Sequence, residues 1–162
     1  EETPGEAPAS VIVDLAAQTA APLARWVKDS DLLGLMAELG VAVNFWHLAD
    51  SGKESVDLLD RLINTYGAGP NYVVVRNLGR GTDFSQLDES AALKKAVALG
   101  GRVITLPPLY ETSMSKIDRQ NASFWAAINN RDGPDALGML ERQRVKTWLK
   151  SVYASIDEVL AR

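Results

Sequence analysis

Asp14 closes a short β-branched run, Val11-Ile12-Val13. A carboxylate at the tip of a buried strand can reach Mg²⁺ or its water shell beside a phosphate chain. The same position also serves as a helix cap or an ordinary loop acid. Gln18 and Thr19 follow closely and could orient a water or simply face solvent. Further on, Arg76-Asn77-Leu78-Gly79-Arg80-Gly81 brings together an amide, two guanidiniums and two glycines. An asparagine amide both donates and accepts, so Asn77 could read an adenine edge. The competing reading is a glycine loop with solvated arginines. Leu106-Pro107-Pro108 could form a rigid wall against a base, or merely end a strand.

Other combinations carry less chemistry. Ser51-Gly52-Lys53-Glu54-Ser55 has the outline of a phosphate loop, but His47 stands four positions before Ser51 and Glu54 where a hydroxyl is needed. A glutamate there repels phosphate, so the segment reads as a helix start with a solvated lysine. His47 is the only histidine and cysteine is absent, which removes thiolate zinc sites, thiol catalysis and disulfides. No G-x-S-x-G elbow presents a serine nucleophile. Arg131, Arg142, Arg144, Lys146 and Lys150 cluster locally, and Arg142, Lys146 and Lys150 share a helical face by four-residue spacing. That face could touch DNA phosphates or an acidic partner, but the ordinary role of such a face is solvation.

Alternating elements must position these groups. Val11 to Val13, Val41 to Leu48, Tyr72 to Val75 and Arg102 to Leu106 read as strands. Helical patterns lie between them: Pro22 to Gly40 in two pieces, a stretch with Val56, Leu59, Leu62 and Ile63, and Ala91 to Leu99. Another runs from about Ser115 to Ile128, then a break at Arg131 to Pro134, then a long amphipathic helix with Leu137, Val145, Trp148, Val152 and Leu160 on one face. Strand–helix alternation implies right-handed crossovers and a mainly parallel sheet. The expected fold is α/β, a three-layer sandwich with helices on both faces. Ligands of such sheets bind at the carboxyl ends of the strands, here Asp14–Thr19, Asp50–Ser55, Arg76–Gly81 and Leu106–Tyr110.

The 162 residues suit one domain, with residues 1–10 as a flexible acidic segment and 11–162 as the folded unit. Hydrophobic residues make up 46% and charged ones 23%, an ordinary globular composition. A net charge of −4 argues against nonspecific nucleic-acid binding by the whole surface. No apolar run spans a bilayer and the start lacks a signal-peptide pattern. The absence of cysteine fits a cytoplasmic protein.

The order of the elements resembles ParA/MinD/CobQ-type P-loop ATPases. Val11-Ile12-Val13-Asp14-Leu15-Ala16-Ala17-Gln18 resembles their switch strand, Val75-Arg76-Asn77 the strand ending in a base-reading asparagine, and Leu106-Pro107 the last strand with its proline loop. Val43-Asn44-Phe45-Trp46-His47 and Asn121-Ala122-Ser123-Phe124-Trp125-Ala126-Ala127 resemble plasmid mobilisation and stability (conjugal transfer) members. The resemblance implies ATP and Mg²⁺ as cofactors, with Asp14 catalytic and near the metal. It implies Asn77 at adenine, Arg76 among the cofactor-binding residues, and Pro107 with Pro108 lining the base pocket. It also implies an ATP-dependent homodimer that works with plasmid transfer or partition proteins. The family's Gly- and Lys-rich phosphate loop matches no stretch of this sequence. The chain is therefore expected to be the C-terminal part of such an ATPase, or a degenerate relative, with negligible hydrolysis by itself. A non-enzymatic α/β interaction module and a ligase or kinase of the dethiobiotin-synthetase type are the rival readings.

Overall fold

A computed structural model describes residues 10–16 and 18–160. The flexible segment expected at residues 1–10 falls almost wholly outside them. The fold is α/β with a parallel three-stranded sheet, β1 (Asn44–Ala49), β2 (Asn71–Asn77) and β3 (Arg102–Leu106), in the order β1-β2-β3. Eight α-helices accompany it among the described residues: α1 (Ala20–Asp29), α2 (Leu32–Glu38), α3 (Lys53–Tyr66), α4 (Ser85–Glu89), α5 (Ala91–Ala98), α6 (Glu111–Arg119), α7 (Phe124–Asn129) and α8 (Met139–Leu160).

Strand β2 is central because its side chains can be buried on both faces. Tyr72, Val73, Val74 and Val75 are each 1% exposed. Side chains alternate along a strand, so Tyr72 and Val74 face one way and Val73 and Val75 the other. Tyr72 and Val74 join Leu59 and Ile63 of α3, Leu87 of α4, and Ala92, Leu93 and Ala96 of α5 in one core cluster. A second cluster ties α6, α7 and α8 together through Ile117, Ala127, Leu137 and Val145.

Local signals set most boundaries. Ser90 Oγ accepts from Leu93 N–H and starts α5, and Ser123 Oγ accepts from Ala126 N–H and starts α7. The single helix expected from about Ser115 to Ile128 is two helices. Asn121 breaks it at a left-handed φ of 46°, a conformation asparagine tolerates. β1 begins at Asn44 rather than Val41, because Val41 N–H closes the end of α2 on the Met36 carbonyl.

The strand expected at Val11 to Val13 is absent. These side chains are 87%, 95% and 71% exposed, and the segment pairs with no strand of the sheet. A β-branched run becomes a strand only where a sheet edge accepts its backbone groups, and propensity alone does not supply that edge. Among the described residues the sheet therefore has three strands and not four.

Candidate functional site at the carboxyl edge

Parallel register brings three strand tips together. Ala49 lies beside Arg76, and Asn77 beside Leu106, so Asp50, Arg76–Gly81 and Pro107–Tyr110 leave from one edge. Arg76 points to the α3 face of the sheet. Asn77 points to the opposite face, with its neighbour Leu106.

The β1 tip is a closed hydrogen-bonded knot. Ser55 Oγ donates to Asp50 Oδ1 at 2.7 Å, Gly52 N–H donates to the same oxygen at 2.8 Å, and Asp50 N–H donates to Ser55 Oγ at 3.1 Å. The Ser55 and Gly52 donors hold the Asp50 carboxyl below the ordinary aspartate range. His47 Nε2 donates to the Ser55 carbonyl at 2.9 Å. Ser, His and Asp thus stand together without the connectivity of a hydrolase, since the serine hydroxyl donates to the aspartate and the histidine meets only a backbone carbonyl. Asp50 also occupies the first donor at the start of α3, in keeping with an ordinary helix start at Ser51-Gly52-Lys53.

Burial outweighs the Ser55 carbonyl and Asp50, and lowers the His47 pKa below 6.5. The folded chain therefore resists a proton that the unfolded chain accepts. Stability from this group is complete above 6.5 and falls as pH drops through the window beneath it. Thermal melts at about pH 7.5 and about pH 5.5 are expected to show a loss at the lower pH that His47→Gln reduces. An unchanged pH dependence in the variant would contradict this assignment.

At the β2 tip, Asn77 Oδ1 accepts from Gly79 N–H at 3.0 Å and caps the 3-10 turn Leu78–Arg80. This leaves the amide NH₂ and one oxygen lone pair for a ligand. Arg76 Nε and Nη2 both donate to Asp88 Oδ1 of α4, so a ligand would have to compete for that guanidinium. Gly81, at φ +147°, lies against Ser51 and packs the β2 loop onto the β1 loop. At the β3 tip, Trp148 Nε1 donates to the Pro107 carbonyl at 2.7 Å and fixes the Pro107-Pro108 turn to α8.

Asp14 is exposed, and neither sheet pairing nor a hydrogen bond among the described residues ties it to this edge. The described residues also hold no group of three or more acids and histidines able to bind a metal. The Asp50 knot was hidden in the sequence, although an acid followed by small residues after a strand was its signal. Two open clefts lie elsewhere. One of about 530 Å³ is lined by Arg25, Val27, Lys28, Leu33 and Tyr66, and the end of α3 places it near the amino end of β2. The other, about 420 Å³, surrounds Asn129–Asp132. On the basic face, Arg142 Nη1 is held by the Leu137 carbonyl at 2.6 Å, while Lys146 and Lys150 are exposed. No helix among the described residues is long and apolar enough to cross a membrane.

Comparison with models of known families, with curated proteins and with solved structures finds no match.

Proposed function

We propose that this chain forms the base-binding part of a ParA/MinD-like nucleotide-binding ATPase acting in plasmid DNA mobilisation or partition. The observation that carries the reading is the register of Asn77 beside Leu106, which sets an amide and a proline turn on adjacent tips of one edge. Parallel α/β sheets bind ligands at that edge. Burial of Val73 and Val75 opposite Tyr72 and Val74 supports a three-layer sandwich with helices on both faces. In this reading Asn77 contacts adenine, Pro107 and Pro108 border it, and Arg76 joins only by leaving Asp88. Mg²⁺ would enter with the phosphates, and Asp14 would reach it only by leaving the exposed place where nothing among the described residues ties it to this edge. ATP would favour a cytoplasmic homodimer, and Lys146 and Lys150, with Arg142, would offer a contact for DNA.

Titration of the chain with a fluorescent ATP analogue tests this. Saturable binding is expected, weakened about tenfold by Asn77→Asp through loss of the amide donor. Aspartate keeps an acceptor for Gly79 N–H, so the turn survives the change. Absent binding, or binding indifferent to this substitution, counts against the reading. Hydrolysis by the chain is expected to be negligible, because loop amides and a lysine supply most phosphate binding. Turnover that survives purification and is lost in Asp14→Ala would contradict that.

An α/β interaction module without chemistry is the second reading. It is favoured by the apolar side chains that α7 and α8 leave in solvent: Trp125 at 72%, Met139 at 74% and Leu140 at 67% exposed. A folded chain that binds no nucleotide selects it.

A further inference from the structure

Helix α8 runs antiparallel to β3 and outreaches it. At the start of β3, Arg102 Nη1 donates to the Val159 carbonyl, and just past its end Trp148 donates to Pro107. From Trp148 to Val159 the helix rises about 16 Å at 1.5 Å per residue. From Arg102 to Pro107 the strand advances about the same distance at 3.3 Å per residue. The two elements therefore keep pace, and the residues of α8 before Trp148 project past the carboxyl edge.

Arg144 is in that projecting part, one turn before Trp148 and on the same helix face. Its guanidinium carbon lies 4.9 Å from the ring centroid of Tyr110. Tyr110 ends the Pro107–Tyr110 loop and is 58% exposed. Three other cations are already paired, Lys116 with Glu141, Arg119 with Asp135 and Arg76 with Asp88, whereas Lys146, two residues after Arg144, is exposed and in no ion pair among the described residues. Arg144 makes no such pair among the described residues; its charge acts on Glu141 one turn away, which Lys116 holds at 2.8 Å. A guanidinium stacked on a ring is fixed in orientation while its N–H groups stay at the rim, in the fork that suits a phosphate.

The geometry points to Arg144, held on Tyr110, as the residue that binds the phosphate of a purine nucleotide at the carboxyl edge. This rests on the proposed function and adds a phosphate contact to a chain without a phosphate-loop lysine. Arg144 is placed on the Asn77 side of the sheet, because Arg102, which alternation puts on the same face as Leu106 and Asn77, donates to α8 at Val159.

Calorimetric titrations of the whole chain with adenosine and with AMP test it. The wild type is expected to bind AMP more tightly than adenosine. Arg144→Ala should remove about tenfold of AMP affinity, the size of one charge-assisted contact, and leave adenosine unchanged. Arg144→Lys keeps the charge but loses the planar fork, and should restore only part of the loss. Tyr110→Leu should act in the same direction as Arg144→Ala by freeing the guanidinium. An AMP-to-adenosine ratio unmoved by Arg144→Ala overturns the inference, as does an equal loss for both ligands, which marks a structural role. If the wild type binds neither ligand, the nucleotide reading fails and this one with it. Circular dichroism on each variant verifies that the fold is intact.

Discussion

Leu59→Ala is expected to lower the free energy of unfolding by about 2–5 kcal/mol, the usual cost of removing a fully buried leucine. Leu59 is 0% exposed and sits with Ile63, one turn on, against Tyr72 and Val74 of the central strand. These contacts fasten α3 to the sheet, and α3 begins at the Asp50–Ser55 knot. Loss of Leu59 leaves a cavity that β2, rigid through its pairing with both neighbours, cannot collapse to fill. Leu58 provides the internal control, since it is 47% exposed and its replacement by alanine should cost about 0.5 kcal/mol or less. Urea unfolding should show a lower midpoint for Leu59→Ala at an unchanged m-value. Equal costs for the two substitutions would mean that α3 does not present this face to the sheet.

Gly81→Ala is expected to disturb the carboxyl edge itself. At φ +147° an L side chain is strained, and an added Cβ would come within 2.5 Å of Ser51 Cβ and 3.2 Å of Ser51 N. A rotating hydroxyl cannot relieve contacts to those two atoms, so the β1 and β2 loops must separate. The expected cost is about 1–3 kcal/mol, together with weaker nucleotide binding than Asn77→Asp alone produces. Ser51→Gly removes the obstructing Cβ while the backbone strain stays. The double variant should therefore recover part of the loss in a mutant cycle. Strict additivity of the two changes would show that the loops do not touch as described.

The sheet was legible where burial and pattern agree. Tyr72 to Val75 and Arg102 to Leu106 are short β-branched runs bounded by glycine, asparagine or proline, and both are strands at those positions. Val11 to Val13 has the same pattern but no strand, because strand formation needs a partner edge that a local pattern does not encode. The helix over Ser115 to Ile128 hid a break because Asn121 is compatible with helix by type and breaks it by its left-handed φ. Of the candidate site, the places of Asn77, Arg76 and Pro107 at strand ends are readable from the sequence, but the pairing of Arg76 with Asp88 depends on α4, a five-residue helix with too little periodicity to read. Tyr110 with Arg144, and Gly81 with Ser51, come from parts of the chain that only the tertiary fold joins. No spacing rule reaches that far.

Backbone amide shifts of the labelled chain during titration with ATP test the central claim most directly. Shifts confined to residues 50–55, 77–81, 106, 109 and 110, with Arg144 following, are the expected result, since Pro107 and Pro108 carry no amide N–H. Shifts clustered instead around Arg25, Lys28 and Tyr66, or none up to saturating ligand, would contradict a nucleotide crevice at the carboxyl edge.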